Sequence, residues 1–384
     1  MRITGAWLDH PGTRAVCRAL TDGGHLALFV GGCVRDALLN RPIGDIDIAT
    51  DARPDRVIDL ARAAGIKAVP TGIDHGTVTL VAEGLGHEVT TFRRDVETDG
   101  RHAVVHFSTD VAEDAARRDF TMNALYATPE GEVVDPLGGL PDLRERRLRF
   151  VGDPAARIAE DYLRILRFFR FHAWYGDPDE GMDAEALAAI AEGADGIARL
   201  SKERIGHEMR KLLTAPDPAP SVAVMRQTGV LARVLPGSDD RALALLVHLE
   251  GDMQADPIRR MALLGGSEPD ADLRLSRDDA KRLVILRTEI GEPTGPGELG
   301  YRHGYDAARD ILLLRAAMFE TPLDPTALTA AQAGAIVQFP VRAADLMPGF
   351  TGPALGQKLA ELEDRWIASG FTLDRKALLA GGDL

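Results

Sequence analysis

Two aspartates separated by a single residue, Asp45 and Asp47 in DIDIAT, have the strongest claim to chemistry in this chain. A strand sends alternate side chains to one face, so both carboxylates project together while Ile46 and Ile48 turn toward a core. Two like charges so close repel unless a cation neutralises them. Mg2+ meets that need, because it takes hard oxygen ligands and keeps places for water and nucleotide phosphates. Two such ions about 3.5–4 Å apart activate an attacking hydroxyl and hold a departing pyrophosphate. A DxD pair alone is weak evidence, since solvated acidic pairs are common at strand ends.

The residues just upstream strengthen the case. FVGGCVRDALLN, residues 29–40, reads as a strand running through Gly31 and Gly32 into a helix. Two glycines at such a turn let a triphosphate approach the backbone, where N–H groups at the helix start favour an anion. Arg35, one turn into the helix, has the fork geometry to grip a phosphate. The GxxxxGK[ST] pattern of a Walker loop is absent, and GG alone describes many ordinary strand-to-helix turns. GG followed by DxD is the informative combination. Glu88 in HEVTTFR is the best candidate for a third carboxylate from a neighbouring strand, the alternative being an outward-facing strand glutamate.

The elements that must position these residues follow from periodicity. HLALFV and DIDIAT read as strands, and VRDALLN as a helix. PDRVIDLARAAG is a second helix, with Pro54 at its start and Gly65 just past its end. GTVTLVAE and HEVTTFR resemble paired strands joined through Gly84 and Gly86. The region to about residue 150 is therefore a mixed α/β domain with a small antiparallel or mixed sheet. Beyond Asp153 the strand signals fade, and ARIAEDYLRILRFFRFHAW, DAEALAAIAEG, SKERIGHEMRKLL and SVAVMRQTGVLARVL carry helical apolar spacing. PDPAP at 216–220 and GEPTGPGELG at 291–300 are breaker-rich boundaries. The fold class is α+β, an α/β head followed by all-α modules.

At 384 residues the chain is too long for one core. Its net charge of −14 argues against an indiscriminate nucleic-acid binder, but arginines cluster between Arg144 and Arg170 and binding depends on the local patch. Cys17 and Cys33 are too few for a disulfide framework or a cysteine zinc site, which suits a reducing cytoplasm. No apolar run approaches membrane-spanning length and the N-terminus lacks a signal pattern, so no membrane association is expected. VHLEGD at 247–252 reads as ordinary helix, and no metal-phosphatase signature is visible.

GGCVRD with DIDIAT resembles the active-site motif of the DNA polymerase beta nucleotidyltransferase superfamily. ARRDFTMNALY at 116–126 resembles the RRDFTxNAL motif of class II tRNA nucleotidyltransferases and bacterial poly(A) polymerases. GDPAARIAEDYLRILRFFRF at 152–171 is similar to that family's EDxxRxxR element, and LSKERIGHEMRKLL at 200–213 to its following helix. The matches run in family order over about residues 26–213. The resemblance implies a template-independent enzyme that adds CCA to the 3′ end of tRNA from CTP and ATP, with Mg2+ bound by Asp45 and Asp47. It implies that Gly32 and Arg35 contact the incoming nucleotide beside Gly31, and that Arg118 touches its phosphates or sugar. Asp161 and Arg164 would read the base, with Arg167 and Arg170 completing the pocket. Arg117 and Asp119 either share that work or form a local ion pair that orders the head.

The base-reading pair also makes chemical sense. Asp161, Arg164 and Arg167 are spaced i, i+3, i+6, which aligns them on one side of a continuous helix. A carboxylate accepts from the exocyclic amine shared by cytosine and adenine, and a guanidinium donates to their ring acceptors. Uracil and guanine place a carbonyl where the amine would be, leaving two acceptors face to face. An exposed helix with salt bridges is the alternative for the same pattern.

The implied organisation is a catalytic head over 1–150, a neck with the base-reading helix over 151–215, a body over 216–295 and a tail over 296–384. Body and tail would hold the acceptor and TΨC arms of tRNA through backbone and shape. No stable protein partner is expected. The polar segment 93–110 sits where the family has a flexible loop needed for switching to adenine, favouring full CCA or A-adding activity. An enzyme adding only the terminal A is the nearest alternative. A poly(A) polymerase would carry a basic C-terminal extension, which this chain lacks. A non-catalytic RNA-binding protein would have lost one of the carboxylates or base readers. A small-molecule nucleotidyltransferase would not need the helical half.

Overall fold

Alternation along DIDIAT fixes the middle of the sheet. Ile46 and Ile48 are buried, Asp45 and Asp47 face the other way, and the strand they form is flanked on both sides. The computed structural model of the chain describes residues 1–98, 103–177 and 179–380. The chain divides into two compact units, Met1–Val234 and Leu235–Leu384.

The first unit opens with helices α1 (Ala6–Asp9) and α2 (Pro11–Thr21), then strand β1 (Leu28–Val30), helix α3 (Gly32–Leu38) and strand β2 (Ile46–Thr50). Helix α4 (Pro54–Ala63) leads into β3 (Lys67–Gly72), β4 (Thr77–Ala82), β5 (Leu85–Thr91), β6 (Arg93–Thr98) and β7 (Ala103–Phe107). Helix α5 (Val111–Ala116), strands β8 (Tyr126–Ala127) and β9 (Val133–Val134) and helix α6 (Leu140–Arg144) follow. The strand order is β3-β4-β5-β2-β1-β8-β9, and β6 with β7 forms a separate ribbon. Only the β2–β5 pairing in the large sheet is parallel, which makes the sheet mixed. Glu83 and Gly84 both have positive φ, 48° and 79°, the geometry of a tight turn that suits strand twist, and the expected β4–β5 hairpin forms around them. Helices α2 and α4 pack on this part of the sheet, where Thr13 meets the buried His87 at 2.9 Å.

Helices complete the unit: α7 (Pro154–Glu160), α8 (Leu163–Tyr175), α9 (Ala184–Gly193), α10 (Lys202–Leu213), α11 (Ala219–Gln227) and α12 (Val230–Val234), with a 3-10 turn at Ala194–Arg199. Asp153 caps α7 with Pro154 at its first position, and Ser201 caps α10. An aromatic cluster fastens α8 to the head. Phe120 lies 5.0 Å from Phe150 and 5.2 Å from Phe171, and Phe150 stacks on Phe168 at 5.6 Å. Each such contact adds roughly 0.5–1.5 kcal/mol beyond area burial. The sequence reading treated residues 156–174 as one helix; the structure breaks it at Asp161, whose backbone is extended at φ −155°, ψ 106°. Asp161 therefore precedes the helix that carries Arg164 and Arg167 instead of sharing its face.

The second unit is helical among its described residues: α13 (Leu243–Glu250), α14 (Pro257–Leu264), α15 (Pro269–Asp272), α16 (Arg277–Gly291), α17 (Pro296–His303), α18 (Tyr305–Met318), α19 (Pro325–Ile336), α20 (Ala343–Leu346), α21 (Pro353–Ala368) and α22 (Arg375–Ala380). Two features hold it. Helices α17 and α19 touch backbone to backbone, since a Cβ on Gly300 would lie 1.9 Å from the Ala331 carbonyl oxygen and one on Gly334 2.0 Å from that of Gly297. An ion network, buried except for the half-exposed Arg282, joins four helices: Arg259 donates to Glu250 and Asp310, Arg260 to Glu250, and Arg282 to Asp310. VHLEGD is helical as far as Glu250, which anchors that network.

Candidate active site

Parallel pairing of β2 with β5 sets Asp47 in register with Glu88. Both face away from the side that buries Ile46, Ile48, His87 and Val89, and Asp45 shares their face by the strand period. Asp47 feels the result. Burial pushes its carboxyl up to about 6, the Glu88 charge adds to the rise, Arg118 opposes it and Asp45 adds again. A carboxylate so placed is relieved by a cation. The donors are hard oxygens, which fits a divalent ion of the magnesium kind. Among the described residues no group of three or more His, Cys, Asp and Glu side chains converges to hold a metal ion. Glu88 is a charged neighbour of Asp47 through the parallel strand register.

The strand that leads into the glycine turn, β1, pairs with β2. Gly31 leaves β1 with φ 69° and ψ −122°, a conformation that a side chain strains, and α3 begins at Gly32. A Cβ on Gly31 would sit 3.6 Å from Nη1 of Arg118. Arg118 lies against the turn, its charge is felt at Asp47, and its other nitrogens are fixed: Nε donates to the Tyr126 hydroxyl at 3.0 Å and Nη2 to Asp114 at 2.9 Å. Asp114 is buried, which by itself would raise its pKa, but Arg118 and Arg117 outweigh burial and hold it down at about 2. Arg117 pairs with Asp114 and Asp119 with Arg167, so the local Arg117–Asp119 pair is not formed.

Arg35 is placed differently from the expectation of a free phosphate fork. Its guanidinium turns inward, with Nε and Nη2 on Asp36, Nη1 on Asn123 Oδ1 at 2.7 Å and Nη2 also on the Tyr175 hydroxyl at 2.7 Å. It stacks on the Tyr175 ring at 3.9 Å. Arg35 ties the glycine turn's helix to the C-terminal end of α8.

The base-reading candidates gather where α7 meets α8. Asp161 accepts from the Leu163 N–H through Oδ1 and from Arg204 through Oδ2 at 2.7 Å. Arg164 pairs with Glu160 and donates to the Arg157 carbonyl. Arg167 sends Nε and Nη2 to Oδ2 of Asp119, which is held below the usual carboxylate range because Arg167 and Asn123 outweigh burial. Arg170 pairs with the buried Glu208 and lies over the Phe171 ring at 4.4 Å. The structure thus brings Asp161, Arg164, Arg167 and Arg170 together, each already holding a protein partner. Asp114, Glu160, Arg204 and Glu208 were missed by sequence reasoning. Three of them stood inside the motif segments, Glu160 next to Asp161 and Arg204 and Glu208 within SKERIGHEMRKLL, whereas Asp114 precedes ARRDFTMNALY and carried no signal.

The ribbon of β6 and β7 occupies the expected adenine-switching segment, and its tip, Gly100 included, lies outside the described residues.

Comparison with known proteins bears on the whole chain. Residues 27–149 match the poly A polymerase head domain, and residues 181–241 match the probable RNA and SrmB-binding site of polymerase A. The human mitochondrial CCA tRNA nucleotidyltransferase 1 is 32% identical over 96% of this chain and 89% of its own length. A CCA-adding enzyme of Geobacillus thermodenitrificans is 35% identical over 81% of this chain and 78% of its own. Among solved structures, the Bacillus stearothermophilus CCA-adding enzyme in complex with CTP superposes with a TM-score of 0.75 at 31% identity, covering 94% and 93% of the two chains. The Thermotoga maritima CCA-adding enzyme complexed with tRNA shares the fold, with a TM-score of 0.69 at 18% identity and coverage of 96% and 93%.

Proposed function

The chain belongs to the CCA-adding tRNA nucleotidyltransferase family, and from that premise we propose that it builds CCA on the 3′ end of tRNA from CTP and ATP without a template. A divalent metal belongs to the activity of this family, and the donor set here favours Mg2+ on Asp45 and Asp47. The observation that carries the reading is the shared face of Asp45, Asp47 and Glu88, with Arg118 beside the Gly31 turn and its charge felt at Asp47.

In this reading the RNA 3′-hydroxyl attacks the α-phosphate in line and pyrophosphate leaves, so no protein nucleophile is required. When bound, the metal activates the attacking hydroxyl and stabilises charge on the leaving phosphates. The chain's own part is placement. Gly31 and Gly32 let the phosphates close on the backbone, and the fixed Arg118 directs its remaining nitrogen at them. Asp161 accepts from the amine of cytosine or adenine and Arg164 donates to the ring acceptors, after each releases its present partner. Arg167 and Arg170 wall the pocket, while Arg35 holds head and α8 together. The ranges 1–150, 151–215, 216–295 and 296–384 serve as head, neck, body and tail, the last two gripping the acceptor and TΨC arms. A cytoplasmic location suits this substrate, and no described helix is long and apolar enough to cross a membrane.

The test is primer extension with Mg2+ on tRNA ending before CCA, after C and after CC, with CTP and ATP given singly and together. Completion of CCA on the shortest tRNA is expected. Extension of only the CC-ended tRNA would make this an A-adding enzyme, and a long A tract would make it a poly(A) polymerase. Asp45→Ala and Asp47→Ala variants indistinguishable from the unsubstituted chain would sink the catalytic assignment.

A further inference from the structure

The base-reading aspartate stands at the junction of two helices: its Oδ1 accepts from the Leu163 N–H and its carbonyl from the Arg164 N–H, so it is tied to the first turn of α8 and is placed by whatever fixes that turn. Asp161 has an extended backbone, and its neighbour Tyr162 is the first residue to turn into α8, with φ −61° and ψ −14°. The Tyr162 ring lies flat against the 3-10 turn at Ala194–Arg199. A Cβ on Gly196 would fall 2.0 Å from both Cδ1 and Cε1 of the ring and 2.4 Å from Cζ. Every other residue type at position 196 would evict the ring. The Arg199 guanidinium sits 5.4 Å from the same ring, within cation–π range. One turn earlier, a Cβ on Gly193 would meet Ile158 of α7 at 2.8 Å, so the same segment also fits the preceding helix through a missing side chain. From the far side, Arg233 holds the 3-10 turn by donating to Asp195 at 2.8 and 2.6 Å.

We propose that Tyr162, seated on Gly196, is a positioning residue for nucleotide selection: it sets where Asp161 presents its carboxylate to the base. The inference rests on Asp161 as the base reader. One bond separates the two residues' Cα groups from a common peptide, so a shift of the ring passes directly into the Asp161 backbone. Arg204 cannot substitute for this anchor. It touches only Oδ2, its side chain is 43% exposed, and it must let go when a base takes that oxygen. Hydrogen-bond discrimination collapses with displacements of about 0.5–1 Å, because donor–acceptor distances outside about 2.7–3.2 Å weaken steeply.

The experiment measures kcat and KM for CTP, and UTP misincorporation, on tRNA lacking CCA with the full-length protein. Variants are Gly196→Ala, Tyr162→Leu, Tyr162→Phe and Asp161→Ala, each checked for an unchanged circular dichroism spectrum. Gly196→Ala and Tyr162→Leu are expected to lower kcat/KM for CTP at least tenfold and to raise the UTP-to-CTP ratio at least tenfold. Tyr162→Phe, which keeps the ring, rescues both. If Tyr162→Leu lowers CTP and UTP use in proportion, with the ratio unchanged, the residue is merely structural and the inference is overturned. Tyr162→Leu is the milder variant and decides the matter if Gly196→Ala does not fold. Asp161→Ala separates the layers. Loss of selectivity there but not in Tyr162→Leu overturns this inference alone, whereas full selectivity in Asp161→Ala overturns the base-reader assignment beneath it.

Discussion

Asp119→Asn tests whether the arginine row is bolted to the head. The two carboxylate oxygens have separate duties: Oδ1 accepts from the Phe120 N–H and from Asn123, both at 2.9 Å, and Oδ2 takes Arg167 alone. An asparagine keeps Oδ1 and turns an NH2 group toward the guanidinium, so donor meets donor while the rest of the network survives. Stranding one member of a buried pair costs about 3–5 kcal/mol. Arg167 is 32% exposed and has Glu208 Oε1 at 3.9 Å as a second partner, which brings the loss below that range, to roughly 2 kcal/mol. The chain has three tryptophans, and Trp7 and Trp174 lie in the first unit while Trp366 lies in the second. Urea unfolding followed by tryptophan fluorescence in a Trp366→Phe background therefore reports the first unit. The same variant should raise KM for CTP, because Arg167 no longer stands where Asp119 held it. A stability within 0.5 kcal/mol of the parent together with an unchanged KM would refute the bolt.

Three further outcomes follow from the geometry. Asp47 binds its proton more tightly folded than unfolded, so metal-free stability falls as pH rises from about 4 through about 6; Tm against pH in EDTA should show that decline, and Mg2+ should remove most of it. Gly334→Ala gains helix propensity of about 1 kcal/mol but forces a Cβ to 2.0 Å from a carbonyl oxygen, so a net loss of about 1–3 kcal/mol is expected from urea unfolding read at Trp366, and a raised midpoint would contradict the close crossing. Arg259→Met removes the donor shared by Glu250 and Asp310 and should cost about 3–5 kcal/mol by the same measurement, Arg260 and Arg282 keeping the carboxylates partly paired; a neutral effect would mean that the network is not buried as described.

Half-buried strands were legible because one face of each shows water its polar residues: β4 and β5 alternate, β2 does so over Ile46–Ile48, and the hairpin glycine falls at a positive φ. The ranges of β3, β8 and β9 were not, since β3 contains Pro70 and the other two span only two residues each, too short for a period. The shared face of Asp45 and Asp47 was readable from spacing, and the register of Asp47 with Glu88 is a consequence of a parallel pairing that spacing does not encode. The helix break at Asp161 was hidden for a physical reason. Ile158 and Ile165 are seven apart and both buried, so the apolar period runs unbroken across a junction that is made by Tyr162 packing against a residue 34 positions away. Likewise Arg170 and Arg167 look like solvent-facing charges in sequence, and their partners Glu208 and Asp119 lie 38 and 48 residues distant.

Those partners divide the arginine row into two kinds. Arg167 and Arg170 hold Asp119 and Glu208, carboxylates that are themselves buried and have no solvent to turn to, so exchanging them for a nucleotide would strand a charge. Asp161 instead holds Arg204, which is 43% exposed and returns to water at little cost, and Arg164 holds Glu160, which keeps Arg157 as a partner when Arg164 leaves. An exposed pair such as Asp161–Arg204 contributes about 0–1 kcal/mol. A base with an amine at the right edge recovers that loss with two hydrogen bonds. A base with a carbonyl there recovers only one and leaves Asp161 facing a lone pair, at a penalty of about 1–3 kcal/mol. In the proposed reading, the present partners keep Asp161 and Arg164 ordered between turnovers without competing strongly against the correct base, and the buried Arg167–Asp119 and Arg170–Glu208 pairs behind them keep the pocket from widening to admit the wrong one.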